Sequence, residues 1–144
     1  MPQRLRLDDH VLERKHELHL TLLDRERGTA LRRRLGEGRI RALFESLEWA
    51  PHGTGRYALL HKVKEGAGDP LQAWSVIEHL QEPALSAFRQ GLAQAGGLGL
   101  ACGVPHVTLY VAGDPSGIGV PDIATYRACF VREATAAEFR GLVM

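Results

Sequence analysis

Apolar side chains fall on alternate positions in two stretches of the chain, Glu-Leu-His-Leu-Thr-Leu-Leu at 17–23 and Pro-His-Val-Thr-Leu-Tyr-Val at 105–111. Successive side chains of a strand point to opposite faces, so this alternation predicts half-buried strands over 15–23 and 105–112. In the first, Leu18, Leu20 and Leu22 share one face and His19 and Thr21 the other. In the second, Val107, Leu109 and Val111 lie behind His106, Thr108 and Tyr110. Each strand thus buries an aliphatic face and presents an imidazole and a hydroxyl on the other.

The same reading extends along the chain. Residues 4–7 form a short edge strand. A helix is predicted over 29–49, because Ile40, Leu43, Phe44 and Leu47 recur at helical spacing. Gly36 and Gly38 weaken its middle and favour a split into two. Pro51 to Gly55 breaks the chain. Strands follow over 56–64, with Tyr57, Leu59, His61 and Val63 on one face, and over 71–79. A helix over 82–95 starts with Pro83 in its first turn and ends at Gly96-Gly97. Further strands are predicted over 98–102 and 124–133, the latter with Tyr126, Ala128 and Phe130 opposite Arg127 and Cys129. The segment 113–122 is a flexible loop leaving the second His-bearing strand, a natural rim for a groove. Thr135 and Glu138 match a capping box for a short final helix. Strand, helix, paired strands, helix and strands make an α+β plan with antiparallel pairs, compatible with an internal duplication.

Composition changes this picture little. At 144 residues, with 44% hydrophobic and 24% charged residues, the chain reads as one globular domain with a substantial core. The net charge of +1 carries no overall polyelectrolyte signal. Its distribution is uneven: residues 1–64 hold fourteen Lys and Arg against nine Asp and Glu, and the remainder four against eight. A positive first half favours an anionic ligand, and equally describes an Arg-rich helix face turned to water. Cys102 and Cys129 suggest no disulfide framework, which points to a reduced, cytoplasmic protein. No secretory leader and no membrane-length apolar run is evident, and a monomer is expected.

The two alternating stretches share more than their pattern. With seven His and six Thr in the chain, a chance His-x-Thr is expected about 0.3 times, yet two occur, each followed by Leu on a strand. The pair His19-Leu20-Thr21-Leu22 and His106-Val107-Thr108-Leu109 resembles the signature of the 2H phosphoesterase superfamily, which includes 2′-5′ RNA ligases and 2′,3′-cyclic phosphodiesterases. The resemblance implies two pseudo-symmetric lobes of antiparallel strands with outer helices and a central groove. It also implies a substrate that is a nucleotide or RNA end carrying a cyclic phosphate. Hydrolysis leaves a phosphomonoester, and a ligase-like reverse reaction belongs to the same family.

That chemistry agrees with the residues. Opening a cyclic phosphodiester needs a base for water and an acid for the leaving oxygen. Imidazoles titrate near neutrality and fill both roles without a metal or cofactor. A Thr two positions on donates a hydrogen bond to the phosphate oxygens. His19, Thr21, His106 and Thr108 are therefore the candidate catalytic set. Tyr110, Tyr57, His61 and Arg127 are secondary candidates for substrate binding, each with a packing or surface role as its plainer alternative. His16 and His19 bracket a His-x-x-His spacing, but strand positions three apart face opposite ways, which disfavours a shared metal. A module that binds nucleotides or RNA ends in the same groove without turnover is the competing expectation.

Overall fold

The computed structural model describes residues 2–66, 68–99 and 104–140. The chain folds as α+β: β1 (Arg4–Leu7), β2 (His10–Arg14), α1 (Arg25–Leu35), α2 (Glu37–Glu45), β3 (His52–Lys64), β4 (Leu71–Gln81), α3 (Pro83–Gly96), β5 (His106–Ala112), α4 (Ile123–Cys129), β6 (Phe130–Ala134) and α5 (Ala136–Arg140). The strands form one six-stranded sheet in the order β1-β2-β5-β4-β3-β6, every pairing antiparallel. No helix among the described residues is long and apolar enough to cross a membrane.

Alternation along the central strands divides the core between the two faces of the sheet. Leu59 of β3 and Val76 of β4 join Leu5, Leu12, Tyr110 and Phe139 on one face. Ala58, Leu60, Ala73 and Ile77 join Ile118 and Cys129 on the other. Leu5, Leu12 and Leu59 are fully buried, each contributing about 1.5–3 kcal/mol, enough to fold the short β1–β2 hairpin onto the sheet. A third cluster, Leu31, Phe88 and Leu92, holds α1, α2 and α3 together.

Three expected elements are corrected. The strand over 15–23 does not form; apart from its continuation of β2 at Lys15, only Leu20 bridges Val107. The helix over 29–49 starts earlier, at Arg25, where Asp24 caps it, and ends earlier, at Glu45; the expected split falls at Gly36, whose φ of +81° suits glycine. The strand over 124–133 is α4 followed by the shorter β6. There the Asp122 carboxylate caps the Thr125 N–H, and Tyr126 and Cys129, three apart, pack together on the sheet. The same apolar residues fitted either period, and the cap favoured the helix. The expected strand over 98–102 lies largely outside the described residues.

Candidate active site

The second His-x-Thr pair is positioned by β5, which runs beside β4 in the middle of the sheet. Tyr110 pairs with Val76, but Thr108 pairs with Ile77, so Leu109 is an extra residue, a β-bulge. His106 and Thr108 precede it and share a face. Beyond it the alternation changes phase. Leu109 and Tyr110 both enter the first core, and Val111 moves to the side of Thr108. A methyl group built on Gly117 of the overlying loop would touch both Thr108 Cγ2 at 3.6 Å and Val111 Cγ1 at 3.7 Å.

The first pair lies on the extended segment that continues β2. The Lys15 N–H donates to the Leu109 carbonyl at 2.8 Å, and the chain returns to β5 at the Leu20–Val107 bridge. Residues opposite each other in an antiparallel bridge share a face, so the neighbours of Leu20 and Val107 share the other. His19 and Thr21 flank Leu20 at that bridge, and His106 and Thr108 flank Val107. All four side chains border one cleft of about 470 Å³.

The rest of the cleft wall comes from α3 and from the loop at 113–122. Arg89 of α3 is buried; its Nε donates to the Leu22 carbonyl at 3.1 Å and its guanidinium to the Pro121 carbonyl at 3.4 Å. One side chain thus braces the segment after the first motif against the loop after the second. The loop is held from two further sides. Lys64 Nζ donates to Asp114 Oδ2 at 2.5 Å and to the Gly117 carbonyl at 2.6 Å, and Lys15 Nζ to the Pro115 carbonyl at 3.1 Å. Lys15, Asp24, Arg25, Arg89 and Ser116 also border the cleft.

The two histidines differ in environment. His106 is half-buried, and its Nδ1 lies 2.6 Å from the Val104 carbonyl. A carbonyl only accepts, so Nδ1 carries the hydrogen and the neutral ring keeps its lone pair on Nε2. Burial pushes the His106 pKa below the ordinary histidine value, partly opposed by that hydrogen bond. His19 is open to solvent, its side chain 68% exposed, with Nε2 3.3 Å from the Glu17 carboxylate. His79, opposite His106 across the β4–β5 ladder, is also lowered by burial and meets the Tyr126 hydroxyl at 3.1 Å.

The secondary candidates lie elsewhere. Tyr110 is fully buried on the opposite face, its hydroxyl donating to the Pro2 carbonyl at 2.7 Å; the bulge at Leu109 carries it there. Tyr57 packs edge-on against Phe139 at 4.7 Å on that same face. His61 lies against Trp74, ring centroids 4.2 Å apart, and is bonded to Gln72. Arg127 is exposed on α4, a helix where a strand was expected. None of the four borders the cleft. Arg89 and Lys15 were missed, although Arg89 left a signal: it stands four residues after Leu85, inside the apolar stripe of its helix. Among the described residues, no group of three or more His, Cys, Asp and Glu could hold a metal ion. No protein-family model, curated protein or solved structure matches the chain.

Proposed function

We propose that this protein is a metal-independent phosphoesterase that opens a cyclic phosphodiester, with a 2′,3′-cyclic nucleotide or an RNA-terminal cyclic phosphate as substrate. The observation that carries the reading is the convergence of both His-x-Thr pairs on one cleft, bordered by His19, Thr21, His106 and Thr108. A phosphate between them meets an imidazole on either side and a hydroxyl beside each.

In this reaction the Nε2 lone pair of His106 takes a proton from water as the water oxygen attacks phosphorus. The bond from phosphorus to one ring oxygen breaks, and His19 delivers a proton to that oxygen, leaving a phosphomonoester and a free hydroxyl. The half-buried, Nδ1-anchored ring of His106 suits the base. Thr21 and Thr108 donate to the non-bridging oxygens, where charge accumulates. Lys15 and Arg25 at the cleft wall add positive charge. The two-lobe plan implied by the 2H resemblance belongs to the same proposal. Each motif segment leads into a helix capped by an aspartate, Asp24 for α1 and Asp122 for α4.

The test is turnover of 2′,3′-cyclic nucleotides by wild type, His19→Ala and His106→Ala, in the presence of EDTA. Wild type is expected to release a phosphomonoester, and each variant to lose at least a hundredfold in kcat/KM. Full activity in either variant overturns the reading. Binding of nucleotides without any product would make the cleft a recognition site only.

A further inference from the structure

The cleft is rich in charge and poor in groups that recognise a base. Among the described residues, no aromatic ring and no carboxamide borders it. Its apolar wall is aliphatic, made by Leu85, Val104, Ile118, Val120 and Pro121. Stacking on a base needs an aromatic face, and telling one base edge from another needs placed donors and acceptors. The three hydroxyls at the cleft are already engaged. Ser116 donates its hydroxyl to Asp114 Oδ1 at 2.7 Å, and Thr21 and Thr108 serve the phosphate in the proposed reaction. An aliphatic wall accommodates sugar and base by bulk alone.

The charged groups around the cleft match one against another, with two left over. Asp24 caps α1 and pairs with Arg27 at 3.0 Å. Asp114, beside Ser116, is tied to Lys64. Asp122 lies close enough to Arg27 and Arg89 for its charge to be coupled to both. Glu17, 3.3 Å from His19, offsets that imidazole while it carries the proton it delivers. Lys15 and Arg25 remain at the cleft wall. Among the described residues neither pairs with a carboxylate. They flank the segment that carries His19 and Thr21, one before it and one after. A cyclic phosphodiester brings a single negative charge, so these two cations leave the occupied cleft positive. A second phosphate group restores the balance.

We infer that the cleft selects its substrate by a second phosphate group, carried on the same molecule as the cyclic one and met by Lys15 and Arg25, and is indifferent to the base. The cyclic phosphate rests on the reaction proposed above; the preference for two phosphates over one stands on the charges of the cleft itself.

Isothermal titration calorimetry at fixed pH and ionic strength compares adenosine, guanosine and uridine 3′-monophosphates with the matching 3′,5′-bisphosphates. Each bisphosphate is expected to bind at least tenfold more tightly than its monophosphate, and the three bases to differ less than threefold at either phosphate number. The double variant Lys15→Met/Arg25→Gln is expected to cut the bisphosphate advantage below threefold. Arg33→Gln/Arg39→Gln removes two exposed charges that do not border the cleft, and should leave that advantage intact. Circular dichroism confirms folding. Should Lys15→Met/Arg25→Gln not fold, Arg25→Gln alone, at an exposed residue, replaces it with at least a threefold reduction expected. Bisphosphates within threefold of monophosphates overturn the inference, as does a base preference larger than the phosphate preference. A tenfold advantage kept by the cleft variant overturns it too. So does an equal loss in both double variants, which would mean attraction by overall charge. None of these ligands carries a cyclic phosphate, so the outcome stands even if wild type opens no cyclic nucleotide. If the reaction holds as well, a 5′-phosphate on a 2′,3′-cyclic nucleotide raises kcat/KM at least tenfold.

Discussion

Adding one methyl group at Gly113 should unsettle the loop that walls the cleft. Gly113 follows β5 directly and has a φ of +83°. In that region an L-residue costs roughly 1–2 kcal/mol. A Cβ there would also overlap the carbonyl oxygen of Gln72 and lie 3.0 Å from its carbon. Gln72 yields little, because it is paired with Val63 in β3, and Trp74 two residues on is held by both β3 and β5. The loop must move instead. The end of the ladder at Ala112–Trp74 then opens, worth about 0.5–1.5 kcal/mol, and the Lys64 hold on Asp114 and Gly117 loosens, worth about 1.5–3 kcal/mol. Together Gly113→Ala is expected to cost about 3–6 kcal/mol, a large share of the roughly 5–15 kcal/mol that stabilises a domain. The control is the same chemical change at Gly38, inside α2, where a Cβ meets nothing within 4 Å. Gly38→Ala should stabilise by about 0.5–1 kcal/mol through helix propensity alone. Urea unfolding followed by tryptophan fluorescence measures both. A Gly113→Ala protein within about 1 kcal/mol of wild type would refute the argument that β4 fixes the loop.

Tyr110→Phe removes only the hydroxyl bonded to Pro2, so stability should fall by about 1 kcal/mol while turnover stays at the wild-type level; an activity loss would place Tyr110 at the cleft after all. The Lys64 ammonium, followed by the Ser116 hydroxyl and amide, holds the Asp114 carboxyl well below the usual carboxylate range. A depressed folded pKa means stability that is present above about 3.9 and lost as pH falls further, so Lys64→Met should flatten that acid loss in urea midpoints taken at about pH 6 and pH 3. His106 is also depressed, by burial, so the base stays neutral as pH falls past the ordinary histidine value. The acid limb of kcat/KM should therefore lie below about pH 6.5, and a limb centred above pH 7 would contradict the environment assigned to this ring.

Much of the architecture is legible in local pattern. The alternation over 56–64 and 71–79 falls within β3 and β4, and Pro83 and Gly97 bracket α3. The second His-x-Thr pair is legible for the same reason: strand geometry puts i and i+2 on one side whatever the strand's neighbours are. The strand expected under His19 and Thr21 does not form, yet both residues border the cleft beside the single bridge at Leu20.

Which residues join them at the cleft is another matter, because that depends on what lies across the sheet. Period two places Tyr110 beside His106, yet a single extra residue against β4 turns it into the opposite core, and no property of 105–111 marks the bulge. Tyr57 and His61 do share a face, as read, but it is the face turned away from the cleft. Arg127 changed element when the Asp122 cap won residues 123–129 for a helix. Arg89 and Lys15 matter through carbonyls at Leu22, Pro121 and Pro115, partners 67, 32 and 100 residues away. Side-chain periodicity is a property of one segment, and so the chain alone specifies the paired imidazole and hydroxyl. Register, bulges and long-range backbone acceptors exist only between segments, and so the walls of the cleft were decided when the segments packed.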